Sequence, residues 1–265
     1  MTREGGLSGR QGYTPKPVAT RTDLTRPPIA EALIDFRSPD NEGLVPASLL
    51  PVREALQGRF PHVEERHSVQ ATFQIQEAQP VVQSRTTGFH GLFLKSADSL
   101  DVAQFRRDGF TVNRLAPYRG WRSLKSMALE LLPLFLKHGR PERLSRVATR
   151  FINRLTLPIS TGQSSSDYLA VTPTLPTGYP PLRSFLTRVT VHDAETGLSA
   201  NVSHSLESSD SPYPTVLLDI DVFTEIPANA QLTVEGASEI LERMRALKNT
   251  LFFATITDRA AALYK

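Results

Sequence analysis

The order of strand-like and helical segments is the feature that most constrains this chain. Residues 30–37 alternate between apolar and polar side chains, and three further strand-like stretches then precede a helical stretch at 121–138. The same order begins again at residue 146 and ends with a helical stretch at 234–253. A helix that follows antiparallel strands buries its apolar stripe against their sheet. We therefore predict an α+β fold of antiparallel sheets, each packed on a long helix, with a tandem duplication of a β-(α)-βββ-α unit suggested by the repeated order.

Composition divides the chain into three parts. Residues 1–27 are rich in glycine, proline and basic side chains, which predicts a flexible basic N-terminal tail. Residues 28–145 form the first α+β half. Residues 146–265 form the second half, which includes a long connection rich in proline and serine at 159–181. Pro133 interrupts the apolar stripe of the first long helix, so we expect that helix to kink or end within one turn of it.

The formal net charge of +3 is located in residues 1–27. That segment carries Arg3, Arg10, Lys16, Arg21 and Arg26 against Glu4 and Asp23. Residues 28–265 are therefore formally neutral, although the sequence pI is about 9.3. Because nucleic-acid-binding proteins present a concentrated basic face, this distribution does not favour nucleic acid as the partner.

Several classes of protein are disfavoured by what the sequence lacks. There is no cysteine, which excludes disulfides, cysteine nucleophiles and thiolate-bound metals. No apolar run approaches the roughly 20 residues of a membrane span, and no secretory signal is evident, so we expect a soluble cytoplasmic protein with no membrane contact. Phosphate-binding glycine loops, a nucleophile elbow and zinc-ligand spacing are also missing. We expect no cofactor and no metal, and the sequence leans against an enzyme.

Three arginines share one face of the strand predicted at 146–157. Arg146, Arg150 and Arg154 recur every four residues, which places them on the same side of an extended strand. A row of guanidinium groups can clamp phosphates or carboxylates through paired hydrogen bonds. The row is therefore a candidate binding surface.

Four carboxylates on other predicted strands are candidate partners for this row. Asp219 and Asp221 share one face of their strand, and Glu31 and Asp35 share the polar face of the first strand. Two carboxylates on one face can help to hold Mg²⁺, but cross-strand pairing with the arginines explains them more simply. We predict a structural ion-pair network in which the arginines are at least partly buried.

A second candidate surface lies where the third strand meets the first long helix. Arg114, Tyr118 and Arg119 flank Pro117 there and are candidate binding residues. Trp121, the single tryptophan, falls on the apolar stripe of the helix. We expect it to be a core anchor rather than a platform for stacking bases.

Four short segments of the chain carry a resemblance to known sequences. They are PIAEALIDFR at 28–37, NRLAPYRGW at 113–121, RFINR at 150–154 and LDID at 218–221. In this order they resemble a sporadically distributed, uncharacterised family of bacterial proteins of similar length. The resemblance implies a bacterial origin, and the patchy distribution of that family implies an accessory role such as phage defence or a toxin–antitoxin pair.

Three functional hypotheses follow. The first is a non-catalytic binding or regulatory protein that acts through a protein partner encoded nearby. The second is a nucleic-acid-binding protein or nuclease that uses the arginine row, and the third is a small-molecule-binding module with a pocket between sheet and helix. Arginines satisfied by carboxylates favour the first hypothesis, an exposed and uncompensated row favours the second, and a large apolar cavity favours the third.

Overall fold

The structure is a computed structural model that describes residues 18–76, 79–159, 164–173, 176, 178–180, 184–207 and 213–265. Most of the predicted N-terminal tail lies outside the described residues. Parts of the predicted connection at 159–181 lie outside them as well.

The described strands form one nine-stranded antiparallel sheet. In chain order they are β1 (Ile29–Arg37), β2 (His62–Gln76), β3 (Gln79–Lys95), β4 (Asp101–Arg106), β5 (Gly109–Leu115), β6 (Arg146–Thr156), β7 (Leu186–Asp193), β8 (Leu198–Glu207) and β9 (Thr215–Glu225). The order across the sheet is β2-β3-β4-β5-β1-β6-β9-β8-β7.

The prediction of antiparallel sheets, each packed on a long helix, is wrong, because the structure has a single sheet. β1 pairs with β6 at its centre, where Ile34 lies opposite Thr149 and Asp35 lies opposite Ala148. Outward from this central pair the order is β5-β4-β3-β2 on one side and β9-β8-β7 on the other. Alternation along a strand fixes which residues face the core, but it leaves open which strand lies alongside. The sequence pattern therefore did not reveal that β1 and β6 are neighbours.

A hairpin turn divides the strand-like stretch at 100–114 into two strands. β4 ends at Arg106 and β5 begins at Gly109. Gly109 has a φ of 151°, and a Cβ atom at this position would collide with the backbone carbonyl of Phe36 on β1. Only glycine combines this backbone conformation with so close an approach of two strands.

The helices are α1 (Leu50–Leu56), α2 (Trp121–Leu134), α3 (Val234–Thr255) and α4 (Asp258–Ala262). α2 contacts β1 and β5, α3 contacts β6, β8 and β9, and the two helices contact each other. Thr233 caps α3, since its hydroxyl accepts a hydrogen bond of 3.1 Å from the backbone of Gly236. No described helix is long and apolar enough to cross a membrane.

The expected interruption at Pro133 is confirmed. The α-helical pattern of α2 ends at Leu134, directly after the proline, and continues as a π-helical turn over Phe135–Gly139. Proline has no backbone N–H group and crowds the preceding turn, so a regular helix does not extend past it.

The apolar core lies between one face of the sheet and the helices. Ile34 and Phe36 of β1 and Phe151 of β6 point into it and are buried. Trp121 is buried as well, with its ring centre 6.3 Å from that of Phe151, and so serves as the expected core anchor. The other face of the sheet carries the intervening polar side chains.

Candidate functional site

The predicted arginine row lies on the face of the sheet opposite the described helices. Along β6, Phe151 points into the core, whereas Arg146, Arg150 and Arg154 point to the other side. β1 and β9 flank β6, so the carboxylates of both strands lie beside the row. We call this side of the sheet the open face; its centre is formed by Asp35, Arg146, Arg150, Asp219 and Asp221.

Arg146 is largely buried and has acidic partners on two strands. Its Nη2 donates a hydrogen bond of 2.9 Å to Oδ2 of Asp221, and its Nη1 lies 3.7 Å from Oδ2 of Asp35. The guanidinium carbon lies 4.5 Å from the centre of the Phe223 ring. Since 16% of the side chain is exposed, removal of these partners would leave a poorly hydrated charge.

Arg150 and Arg154 each have one acidic partner and are more exposed. Arg150 binds Asp219 through both Nε, at 2.9 Å, and Nη2, at 2.6 Å, and this hydrogen bonding raises the pKa of Arg150. Arg154 donates to Glu207 at 2.7 Å, a partner outside the four predicted carboxylates. Their side chains are 44% and 54% exposed, so both pairs lie in contact with solvent.

Asp35 is the centre of the network. It is 7% exposed and accepts hydrogen bonds from Thr111 Oγ1 at 2.6 Å, Arg37 Nε at 3.1 Å and Arg106 Nη2 at 3.2 Å. The bond to Asp35 raises the pKa of Arg37. Sequence reasoning missed Arg106 and Thr111, because it did not place β4 and β5 beside β1. The hairpin turn between β4 and β5 brings them to the same face.

Glu31 extends the network toward β4. It accepts a hydrogen bond from the Asn113 side chain, whose oxygen in turn accepts one of 2.9 Å from Gln104. All four predicted carboxylates therefore lie on the open face. Two of them, Asp219 and Asp221, contact arginines of the predicted row directly, and Asp35 does so at longer range.

Two shallow depressions lie on the open face. One of about 350 Å³ is lined by side chains that include Asp35, Arg106 and Arg146. The other, of about 250 Å³, lies where Arg150 and Arg188 approach β8. Their polar linings suit hydrogen-bonding groups of a partner better than an apolar ligand.

Three of the four predicted carboxylates on the open face, Asp35, Asp219 and Asp221, are engaged with guanidinium groups. Asp219 is bound by Arg150 and Asp221 by Arg146. Within the described part of the chain, no group of three or more histidine, aspartate or glutamate side chains is placed to hold a metal ion. The arrangement therefore serves ion pairing between strands.

The second predicted surface is divided between the interior and the exterior. Arg114 is buried, with Nη1 3.2 Å from Asp101 and Nε donating to the carbonyl of Pro117 at 3.1 Å. This buried arginine holds the loop before α2 in place and is not available to bind another molecule. Arg119 is exposed and pairs with Asp98 at 3.2 Å.

Tyr118 lines a pocket of about 460 Å³ on the helix side of the sheet, between α3, the loop before α2 and the segment before β1. The ammonium group of Lys248 lies there, 4.2 Å from the centre of the Phe151 ring. Burial, followed by the charges of Arg245 and Arg21, lowers the pKa of Lys248 to about 8. We call this the basic pocket. Nothing in the helical pattern of α3 indicated it, because three separate parts of the chain form it.

Comparison of the chain with models of known protein families and with curated proteins finds no match. The resemblance of the four short segments therefore remains an expectation.

The burial of each arginine in the row predicts how much its truncation to alanine lowers the free energy of unfolding. Arg146→Ala should lower the free energy of unfolding by about 2–3 kcal/mol, because it leaves the largely buried Asp35 and Asp221 with one partner fewer. Arg154→Ala is the matched control on the same strand and should cost less than about 1 kcal/mol, because its pair is exposed. Urea unfolding of both variants measures the difference, and equal losses would contradict the assignment.

The lowered pKa of Lys248 predicts a pH-dependent stability. Between the folded value of about 8 and the ordinary value of 10.5, the unfolded chain holds a proton that the folded chain has released. The contribution of Lys248 to stability therefore rises with pH through this interval. Lys248→Met should be more stable than the wild type near neutral pH, and its advantage should shrink as the pH approaches 10. Unfolding curves of both proteins across this range test this, and an advantage independent of pH would refute it.

Proposed function

We propose that this chain is a non-catalytic binding or regulatory protein that acts through a protein partner docked on the open face. The observation that carries the proposal is the pairing of the arginine row with carboxylates. Arg146, Arg150 and Arg154 each lie within ion-pair distance of an aspartate or glutamate. Such a face offers donors and acceptors side by side, as a protein surface does.

The same pairing disfavours nucleic acid as the ligand of this face. Binding to a phosphate backbone depends on cations that replace its counterions, and a guanidinium already held by a carboxylate contributes little of this effect. Arg150, for example, is bound by Asp219 through two of its nitrogen atoms. Residues 28–265 also carry no formal net charge, so they add no long-range attraction for a polyanion.

Apolar side chains between the charged groups fit a protein partner. Leu33, Ile152 and Phe223 lie on the open face and are half-buried. Protein interfaces combine such apolar contacts with arginine-rich polar surroundings. At the β7 edge of the sheet, Leu186 and Val189 are exposed on the strand, and exposed edges of this kind pair with strands of other chains.

The biological setting belongs to the same proposal. The four segments that resemble a sporadic bacterial family support an accessory system, of the phage-defence or toxin–antitoxin type, in which the partner is encoded nearby. A chain without cysteine fits the reducing environment of the cytoplasm, where we place it.

Truncation of one arginine tests the proposal. The full chain, tagged and expressed with its neighbouring genes, should retain one protein partner, and the complex should form again from the purified components. Arg150→Ala should weaken that complex by at least about tenfold, because a central interface arginine contributes on the order of 2 kcal/mol. Arg243→Ala removes an exposed arginine from α3 on the opposite side of the sheet and should leave the affinity unchanged.

The same variants examine the nucleic-acid alternative. Binding of single-stranded RNA and duplex DNA is titrated against salt for the wild type, Arg150→Ala and Arg243→Ala. We expect the slope of log nucleic-acid affinity against log salt concentration to be the same for Arg150→Ala and the wild type. Two results together would overturn the proposal in favour of nucleic acid: a slope of log affinity against log salt that falls by about one in Arg150→Ala alone, and an affinity for the protein partner that Arg150→Ala leaves unchanged.

A further inference from the structure

The basic pocket differs from the open face in the balance of its charges. Lys248, Arg245 and Arg21 converge on it from α3 and from the segment before β1. In the described part of the chain, no carboxylate lies within ion-pair distance of Lys248 or Arg21. The contact of Arg245 with Glu242 is long, at 3.7 Å. Two cations of this pocket, Lys248 and Arg21, therefore lack a carboxylate partner among the described residues, in contrast to the arginines of the open face.

Glu242 is not free to neutralise the pocket. Its Oε1 accepts a hydrogen bond of 2.7 Å from Lys125 and one of 3.0 Å from the indole of Trp121. Asp23 is the one carboxylate among the described residues that line the pocket, and it forms no ion pair with them. The pocket thus retains an excess of positive charge.

Lys248 is half-buried, and an ammonium group in such a position loses part of its hydration without gaining a counter-charge, which is unfavourable. Lys248 packs on the face of Phe151, which recovers part of this loss through a cation–π contact. A bound anion would supply the missing charge.

The walls of the pocket define the remainder of a ligand. Tyr118, Phe151 and Phe252 give it apolar surface, and the Tyr118 hydroxyl donates no hydrogen bond to the described residues. A volume of about 460 Å³ falls within the range of sites for small molecules, about 300–1,000 Å³. Two guanidinium groups and an ammonium group suit a doubly charged phosphate better than a single carboxylate.

We propose that the basic pocket binds a small organic phosphate, with the phosphate held by Lys248, Arg245 and Arg21 and the organic part packed against Tyr118. This site lies on the side of the sheet opposite the open face. It does not depend on the proposed protein partner, and either proposal can fail without the other.

Trp121 provides a direct signal for the test. It is the single tryptophan of the chain and lines the pocket, so its fluorescence reports on ligands bound there. Phenyl phosphate is the probe, with phenol, benzoate and inorganic phosphate as comparisons. We expect saturable binding of phenyl phosphate by the full chain, weaker binding of benzoate and of inorganic phosphate, and no binding of phenol.

Two variants and a matched control locate the site. Lys248→Met and Arg245→Met should each weaken phenyl phosphate binding by at least about tenfold, the effect of removing one charged hydrogen-bond donor. Arg243→Met makes the same change at an exposed arginine of α3 outside the pocket and should change the affinity less than about twofold. Circular dichroism checks that both variants are folded, and Arg245→Met tests the site independently of Lys248.

The other outcomes overturn the proposal. They are an absence of phenyl phosphate binding, equal binding of phenol or benzoate, or an affinity that the pocket variants leave unchanged. Binding that Arg243→Met weakens as much as Lys248→Met does would assign the effect to net charge rather than to the pocket.

Discussion

The pairing of β1 with β6 around a buried carboxylate is the interaction on which the rest of this structure depends. These two strands lie at the centre of the sheet, and every other strand is added outward from them. Asp35 of β1 contacts Arg37 on its own strand, Arg106 on β4 and Arg146 on β6. A buried carboxylate is stable only with such partners, so the ion pairs of Asp35 connect β1, β4 and β6. The strand pairing and the ion pairs therefore favour the same arrangement.

One sheet with one core leaves the molecule with two different faces. The inner face buries Ile34, Phe36 and Phe151 beneath α2 and α3. The open face carries paired charges and half-buried apolar residues, which suits contact with a protein. In the basic pocket on the helix side, Lys248 and Arg21 have no carboxylate partner among the described residues, which suits a small anion. The two proposed binding roles thus follow from the difference between paired and unpaired charge.

Local patterns in the sequence predicted much of this arrangement. Alternation identified β1 and β6 and the side to which Arg146 and Asp35 point, and helical spacing identified α2 and α3. Asp219, which binds Arg150, is one of the four carboxylates predicted as partners from opposite charges on the polar sides of the strands. Each of these features depends on residues close together in sequence or on a simple rule of complementarity.

Features that depend on which strands are neighbours in the sheet were not predictable in this way. Periodicity does not say which strand lies beside which, so the pattern predicted separate sheets where the structure has one. Thr111 and Arg106 consequently escaped notice as partners of Asp35. Lys248 was missed for a related reason, since its pocket is assembled from α3, the loop before α2 and the segment before β1.

Hydrogen exchange of the native protein tests the central claim that β1 and β6 form the common centre of a single cooperative sheet. The backbone amides of Ile34 and Phe151 lie within this pair. We predict that both exchange only by global unfolding, with an exchange free energy equal to that obtained from denaturant unfolding and at least as high as any in β4 or β8. Exchange of Ile34 and Phe151 at a lower free energy than the amides of β4 or β8 would show that the two sides of the sheet hold together independently, and it would contradict the account.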